Sequence, residues 1–353
     1  MAERRRRKIR SHYARARGRS RLHGTPPHAA ARLSGVVVLV TVAICTRNRC
    51  RALGQTLRSL AATDLPPSLS WEVLVVDNGS EDGTTEVIAS ASTALPVRAV
   101  VEPRIGLSHA RNAAIANARG RYILWIDDDV LVDGKWLRAY HDAFRAWPDA
   151  AFFGGPISPM FEGTPPAWLQ SALPNVDNAY AARDLGNVPV ALTRDTLPFG
   201  ANFAVRSEEQ RRYPFDPELG RRGNALSAGE EWAVLEEMLA GGASGRWVPD
   251  ARVQHVISVE RQSVRYLRRY YVENGMSLAR TRRASGERLL FGRPRWAWRE
   301  ALLQELAYRV RRAYASANVW SVHLRRASVA WGLLRVPVRA DRDHSSSLSG
   351  GGR

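Results

Sequence analysis

Tyr122-Ile123-Leu124-Trp125-Ile126-Asp127-Asp128-Asp129 decides the fold: an apolar run that closes on three adjacent carboxylates. Five large apolar residues in succession read as a buried strand of the kind found in parallel sheets. The three carboxylates at its end repel one another and gain nothing from the core, so unpaired they would cost stability. A divalent cation held at the carboxyl end of the strand resolves the conflict. Alternation along an extended chain puts Asp127 and Asp129 on one side and Asp128 on the other. Two oxygen ligands on one side suit Mg2+ or Mn2+, which keep positions open for phosphate oxygens. The alternative is a polar loop in which Asp128 or Asp129 caps a turn.

Working outward, Val42-Ala43-Ile44-Cys45-Thr46-Arg47-Asn48-Arg49 reads as a strand running into a polar turn. A helix follows, with Leu53, Leu57 and Leu60 on one face. Trp71-Glu72-Val73-Leu74-Val75-Val76-Asp77-Asn78-Gly79-Ser80 is a second buried strand ending in an acid and a turn, and Gly106-Leu107-Ser108-His109-Ala110-Arg111-Asn112 opens another helix, ended by Gly120. Strands alternating with helices predict a parallel α/β sheet whose ligands gather at the carboxyl ends of the strands. No Gly-x-Gly-x-x-Gly follows the first strand and no Walker loop occurs, so neither a dinucleotide dehydrogenase nor a P-loop NTPase is supported.

At this point the chain resembles the family 2 inverting glycosyltransferases, which have the GT-A fold, a Rossmann-like, mostly parallel sheet flanked by helices. The resemblance covers roughly residues 38 to 280. It rests on ordered motifs: Thr46-Arg47-Asn48-Arg49, Val75-Val76-Asp77-Asn78-Gly79-Ser80, Ala110-Arg111-Asn112, Asp127-Asp128-Asp129, Gly200-Ala201-Asn202-Phe203 and Gly229-Glu230-Glu231-Trp232. It implies that Thr46 and Arg47 line the nucleobase pocket, that Asp77 hydrogen-bonds the base, and that Arg111 lies near the diphosphate. Asp127 and Asp129 match the family's Asp-x-Asp motif, Asp127 on the ribose and metal side and Asp129 binding the metal directly; Asp128 joins the nucleotide-sugar set. Glu230 and Glu231 match a Glu-Asp pair whose second member is the catalytic base. Glutamate in that second place is a departure, and it leaves open which of the two acts. His255 matches a position where many relatives place a metal- or phosphate-binding histidine.

The chemistry explains these residue types. The donor is a nucleoside diphosphate sugar whose leaving group gathers negative charge; Mn2+ or Mg2+ with arginine support stabilises it. The acceptor, a glycan or lipid-linked hydroxyl, needs a carboxylate to take its proton, and a single in-line displacement inverts the anomeric carbon. Asp77 and the turn after the first strand are compatible with uridine, the commonest donor base of the family the chain resembles, and do not exclude guanosine. Each residue also has a plainer reading. Asp77 suits a turn, Glu230 and Glu231 favour a helix dipole, Arg111 is a solvated helix charge, and His255 is a satisfied core histidine. Asp133 is most simply an N-cap.

Composition divides the chain of 353 residues. Residues 1–34 hold eleven Lys and Arg against one acid, and residues 261–353 hold twenty against six, so of the net +18 the ends carry +10 and +14 and the middle carries −6. We expect a disordered basic arm over 1–34, a catalytic domain over 35–260 with a nucleotide-sugar half to 133 and an acceptor half from 134, a basic helical extension over 261–340, and a disordered Ser/Gly tail over 341–353. Gly-rich 219–229 reads as a mobile loop able to order on donor binding. From Arg299 to Ala317, Leu302, Leu303, Leu306, Val310 and Tyr314 share a helical stripe with arginines beside it, which suits either the face of an anionic membrane or packing on the catalytic domain. Two cysteines, Cys45 and Cys50, make no disulfide framework and suit a reducing, cytoplasmic compartment. The longest apolar stretch, Val36 to Cys45, is too short to span a bilayer and is read as the first strand.

Two other classes compete. A nucleotidyltransferase of similar fold would carry a glycine-rich basic loop after its first strand, and Cys45 to Cys50 contains no glycine. A nucleic-acid-binding protein is suggested by the arginine arm alone; the central acids repel phosphate and no recognition motif occurs, so nucleic acid is not an expected partner.

Overall fold

The structure is a computed structural model, and it describes residues 40–67, 69–217, 229–281, 283–284, 288–337 and 339–340. The basic arm, the tail and almost all of the 219–229 loop lie outside the described residues. The first half reads β1 (Val40–Thr46), α1 (Cys50–Ala61), β2 (Trp71–Asp77), α2 (Thr84–Ala91), β3 (Val97–Val101), α3 (Leu107–Asn117) and β4 (Tyr122–Asp127). The expected order of strands and helices is present, with α2 and β3 added. β3 carries little sequence signal because it is an edge strand with half-exposed side chains and no long apolar run.

After the aspartates come β5 (Val130–Val132), α4 (Trp136–Ala146), β6 (Phe152–Gly154), β7 (Ile157–Phe161), α5 (Ala167–Val176), β8 (Ala191–Leu192), β9 (Phe203–Arg206), α6 (Ser207–Arg212), α7 (Glu230–Ala240), β10 (Gly245–Trp247) and β11 (Val253–Ile257). The main sheet runs β3-β2-β1-β4-β9-β6-β10-β8, parallel from β3 to β4, with β9 antiparallel between β4 and β6. A second sheet, β5-β11-β7, stands beside it. Asp133 does not cap α4 itself. Its Oδ1 accepts from the Lys135 N–H (2.9 Å) in the turn just ahead.

Both faces of the main sheet are covered at its centre, which is why β1, β2 and β4 are mostly apolar. Val40, Val42, Ile44, Val73, Val75 and Leu124 pack with Leu53, Leu57 and Leu60 of α1 on one face; Ala43, Leu74, Val76 and Trp125 pack with Ala110 and Ala114 of α3 on the other. The C-terminal part folds as α8 (Val264–Thr281), α9 (Arg295–Arg312) and α10 (Ala317–Arg335); the helix expected over 299–317 ends at Arg312, and α10 begins at Ala317. Ser316 and the turn before it separate them. One apolar cluster runs from Leu169, Val176 and Ile257 into Leu267, Tyr271, Tyr308 and Leu324, so packing is continuous across residue 260.

Candidate active site

Parallel pairing aligns the strand ends. The register sets Thr46 opposite Asp77 and Cys45 opposite Asp127, and a cleft of about 1210 Å³ opens there. Two loops are locked to each other beside it. Asn48 takes a left-handed conformation (φ 52°), which asparagine tolerates, and its Oδ1 accepts from the Glu81 N–H (2.7 Å) while its own N–H donates to Ser80 Oγ (3.0 Å). Asn78 Oδ1 accepts from the Gly106 N–H (2.8 Å), fixing the start of α3 and therefore the height of Arg111.

Arg111 is buried among carboxylates. Its Nη1 lies 2.8 Å from Glu230 Oε1 and 3.5 Å from Glu231 Oε2, and its Nη2 lies 3.8 Å from Asp127 Oδ1. The guanidinium rests over Phe215 (5.1 Å) and Trp125 (6.0 Å). Burial works against its charge, but Glu230, Glu231 and Asp127 more than offset that and raise its pKa. The solvated reading of Arg111 is therefore wrong. The backbone N–H of Gly200 reaches Glu231 Oε1 (3.2 Å) from the opposite wall. Glu230 is buried, whereas Glu231 keeps a partly open side chain on the cleft. The neighbouring Cys45 thiol is pushed up to about 12 by burial, so it stays protonated at neutral pH.

The three aspartates do not divide as alternation suggests. β4 ends at Asp127, and Asp128 and Asp129 occupy a turn, where the two-residue period no longer holds. Asp127 faces Arg111; Asp128 and Asp129 share Arg49, whose Nη1 and Nη2 lie 2.7 Å from each. Asp128 also accepts from Thr46 Oγ1 (2.7 Å), and burial pushes its carboxyl up. Burial opposes ionisation of Asp129 too, yet His255, Arg49 and Arg261 hold it well below the ordinary carboxylate range.

His255 reaches this place because β11 pairs with β5, the strand that follows the aspartates, and the Val256 N–H donates to the Asp129 carbonyl (2.8 Å). Its Nδ1 lies 2.8 Å from the Tyr180 carbonyl, which only accepts, and Arg261 Nη1, which only donates, lies 3.2 Å from Nε2. Nε2 faces Asp129 Oδ1 across 3.4 Å; it donates to that carboxylate when the ring is protonated, the state that lowers the Asp129 pKa, and offers a lone pair when the ring is neutral. Two lone-pair bearers so placed call for a positive centre, and a histidine oriented through its other nitrogen is how metal-binding imidazoles are held. Among the described residues no group of three or more His, Cys, Asp and Glu forms a cage of its own. Asp129 with His255 fits an ion that completes its shell with phosphate oxygens.

Of the other expected residues, Arg47 is exposed on the cleft wall. Asp77 is buried, and its Oδ1 accepts from the Ser80 N–H (2.9 Å), as the turn reading has it. Arg49, Arg261 and Gly200 join the site without a role that the sequence predicts. Arg49 and Gly200 stood inside quoted motifs; Arg261 carries no sequence signal, because it arrives through the β11 pairing.

Residues 41–188 match the family model described as glycosyl transferase family 2. The chain is 26% identical over 243 residues to the succinoglycan biosynthesis protein ExoM of Rhizobium meliloti (strain 1021), covering 68% of this chain and 74% of that protein. It is 31% identical over 107 residues to the glycosyltransferase AglE of Haloferax volcanii, covering 30% and 35%. Among solved structures, the mannosyltransferase PcManGT of Pyrobaculum calidifontis, in complex with GDP-Man and Mn2+, is 19% identical with a TM-score of 0.49, covering 84% of this chain and 72% of that one.

Proposed function

We propose that the chain is a family 2 glycosyltransferase, a reading supported by the family match over residues 41–188 and the likeness to ExoM, and that it moves a sugar, with inversion, from a nucleoside diphosphate sugar to a hydroxyl of a glycan or lipid-linked acceptor. The observation that carries this is the Glu231 carboxylate, partly open to the cleft and held between the Gly200 N–H and the Arg111 guanidinium. Similarity to a succinoglycan biosynthesis protein supports polysaccharide assembly as the setting.

Residues 35–133 hold the donor. Arg47 and Arg49 present cationic groups to its diphosphate. Asp129 and His255 would hold Mn2+ or Mg2+, which when bound neutralises charge on the departing diphosphate. The acceptor oxygen attacks the anomeric carbon opposite the leaving group. The new C–O bond forms as the bond to the β-phosphate breaks, the diphosphate leaves with the electron pair, and Glu231 takes the proton. Arg111 and the Gly200 N–H hold Glu231 in place from two sides. Glu230 and Asp127 share the charge of Arg111.

The test is a panel of uridine and guanosine diphosphate sugars with Mn2+, scored first by thermal shift. A donor at about 100 times its dissociation constant should stabilise by about 2.7 kcal/mol. The anomeric configuration of the product is then read by NMR. A retained configuration, or no shift with any donor, overturns the reading.

A further inference from the structure

α9 has an inner and an outer face. Ala297, Ala301 and Tyr308 are buried, Tyr308 packs against Trp320 of α10 (5.9 Å), and Glu305 pairs with Arg268 of α8 (2.7 Å). On the other side Leu302, Leu303, Leu306 and Val310, with Tyr314 just beyond the helix, are between 49 and 74% exposed. At about 100° per residue the first four share a sector about 100° wide, opposite the buried one. The tip of the hairpin before the helix, Phe291, is 79% exposed. An outward apolar stripe of this size is unusual on a surface that water alone covers.

The charge beside it identifies the cover. Arg295, Arg299, Arg309 and Arg312 are exposed on the same helix. Residues 288–335 hold ten arginines and two glutamates, a net charge of +8. Both glutamates are already engaged, Glu300 with Arg326 (2.9 Å) and Glu305 with Arg268. We propose that this stripe docks on an anionic lipid bilayer, the leucines entering the acyl boundary and the arginines meeting lipid phosphates. A second copy of the chain is disfavoured as the cover, since it would set one such cationic surface against another. No helix among the described residues is long and apolar enough to cross a membrane, so the contact is with the bilayer surface. The same helical unit supplies Asn274, Ser277 and Arg325 to the cleft wall, which ties the docked face to the acceptor side.

The inference goes beyond the catalytic reading, and vesicle binding needs no turnover, so either can fail alone. The experiment is flotation of the full chain with phosphatidylcholine vesicles, with and without phosphatidylglycerol, at low salt and at about 1 M salt, where the screening length is about 3 Å. High salt silences the arginine-rich residues 1–34 and leaves the apolar contact. Binding to the anionic vesicles is expected at both salts, weaker at the higher, and at low salt well above binding to the neutral ones. Leu303→Glu with Leu306→Glu should weaken partitioning by about tenfold or more at both salts, with an unchanged melting temperature and donor affinity. The proposal is overturned if the wild type does not float with anionic vesicles at low salt, if neutral vesicles bind equally well at low salt, or if the double variant floats like the wild type. A concentration-dependent dimer that the double substitution splits, without flotation, would assign the stripe to a second copy instead.

Discussion

The backbone N–H of Gly200 and the Glu231 carboxylate are direct partners at 3.2 Å, and no side chain fits between them. A Cβ on Gly200 would stand 3.0 Å from Glu231 Oε1 and 2.7 Å from Arg111 Nη2. Both neighbours are the far ends of flexible side chains, so the clash displaces the site and not the fold. Gly200→Ala should therefore keep its melting temperature within a few degrees while kcat falls by about tenfold or more. A variant with wild-type kcat would mean that Glu231 is not held from this side.

Glu230 and Glu231 should separate stability from rate. Glu231 is the one partly open to the cleft, so Glu231→Gln should leave donor affinity nearly unchanged and lower the transfer rate by about 10² or more. Glu230 is buried and 2.8 Å from Arg111, so Glu230→Gln should cost stability, about 1–3 kcal/mol, with a milder loss of rate. Denaturant titration and single-turnover kinetics on both variants decide it. A dead Glu230→Gln beside an active Glu231→Gln would shift the base by one residue.

The strands were legible because both sheet faces are apolar, and the acids at their ends were legible because nothing in a core explains them. Asp127, Asp128, Asp129, Arg111, Glu230, Glu231 and His255 do gather around one cleft. What stayed hidden depends on contacts remote in sequence. Alternation gave no warning that β4 stops at Asp127, since a turn and a strand end carry the same polar residues. Arg261 and Tyr180 orient His255 only because β11 adds to β5. The outward stripe on α9 was visible as a period, but only packing shows which side Ala297 and Ala301 take, and hence that the leucines face away.

Arg49 spans Asp128 and Asp129, where a divalent cation would compete with it for the same oxygens. Arg49→Ala should tighten Mn2+ binding to the nucleotide-free protein, because it removes a rival charge, and should weaken binding of the nucleoside diphosphate, because it removes a phosphate partner. His255→Ala should weaken Mn2+ binding by about 10- to 100-fold. Mn2+ electron paramagnetic resonance titration reads both without turnover. Unchanged Mn2+ affinity in His255→Ala would return that residue to the status of a core histidine.

α8 and α10 cross at a pair of glycines. A Cβ on Gly275 would lie 2.1 Å from the Val329 carbonyl oxygen, and one on Gly332 would lie 2.1 Å from the Val272 carbonyl oxygen. Backbone cannot yield as a side-chain tip does, so the helices would have to part. In an exposed helix, Gly→Ala stabilises by about 1 kcal/mol. Here overpacking, about 1–3 kcal/mol, should outweigh that gain. Gly332→Ala is expected to lower the melting temperature, and Gly275→Ala with Gly332→Ala to lower it further but less than additively, since either substitution alone already opens the crossing. Because α9 packs on α10 and its Glu305 is tied to α8, parting the pair should also loosen the surface that carries Leu303 and Leu306. Amide hydrogen exchange in α9 should then rise in both variants. A rise in melting temperature for Gly332→Ala would show that the crossing has room for a methyl group and that the glycines serve another purpose.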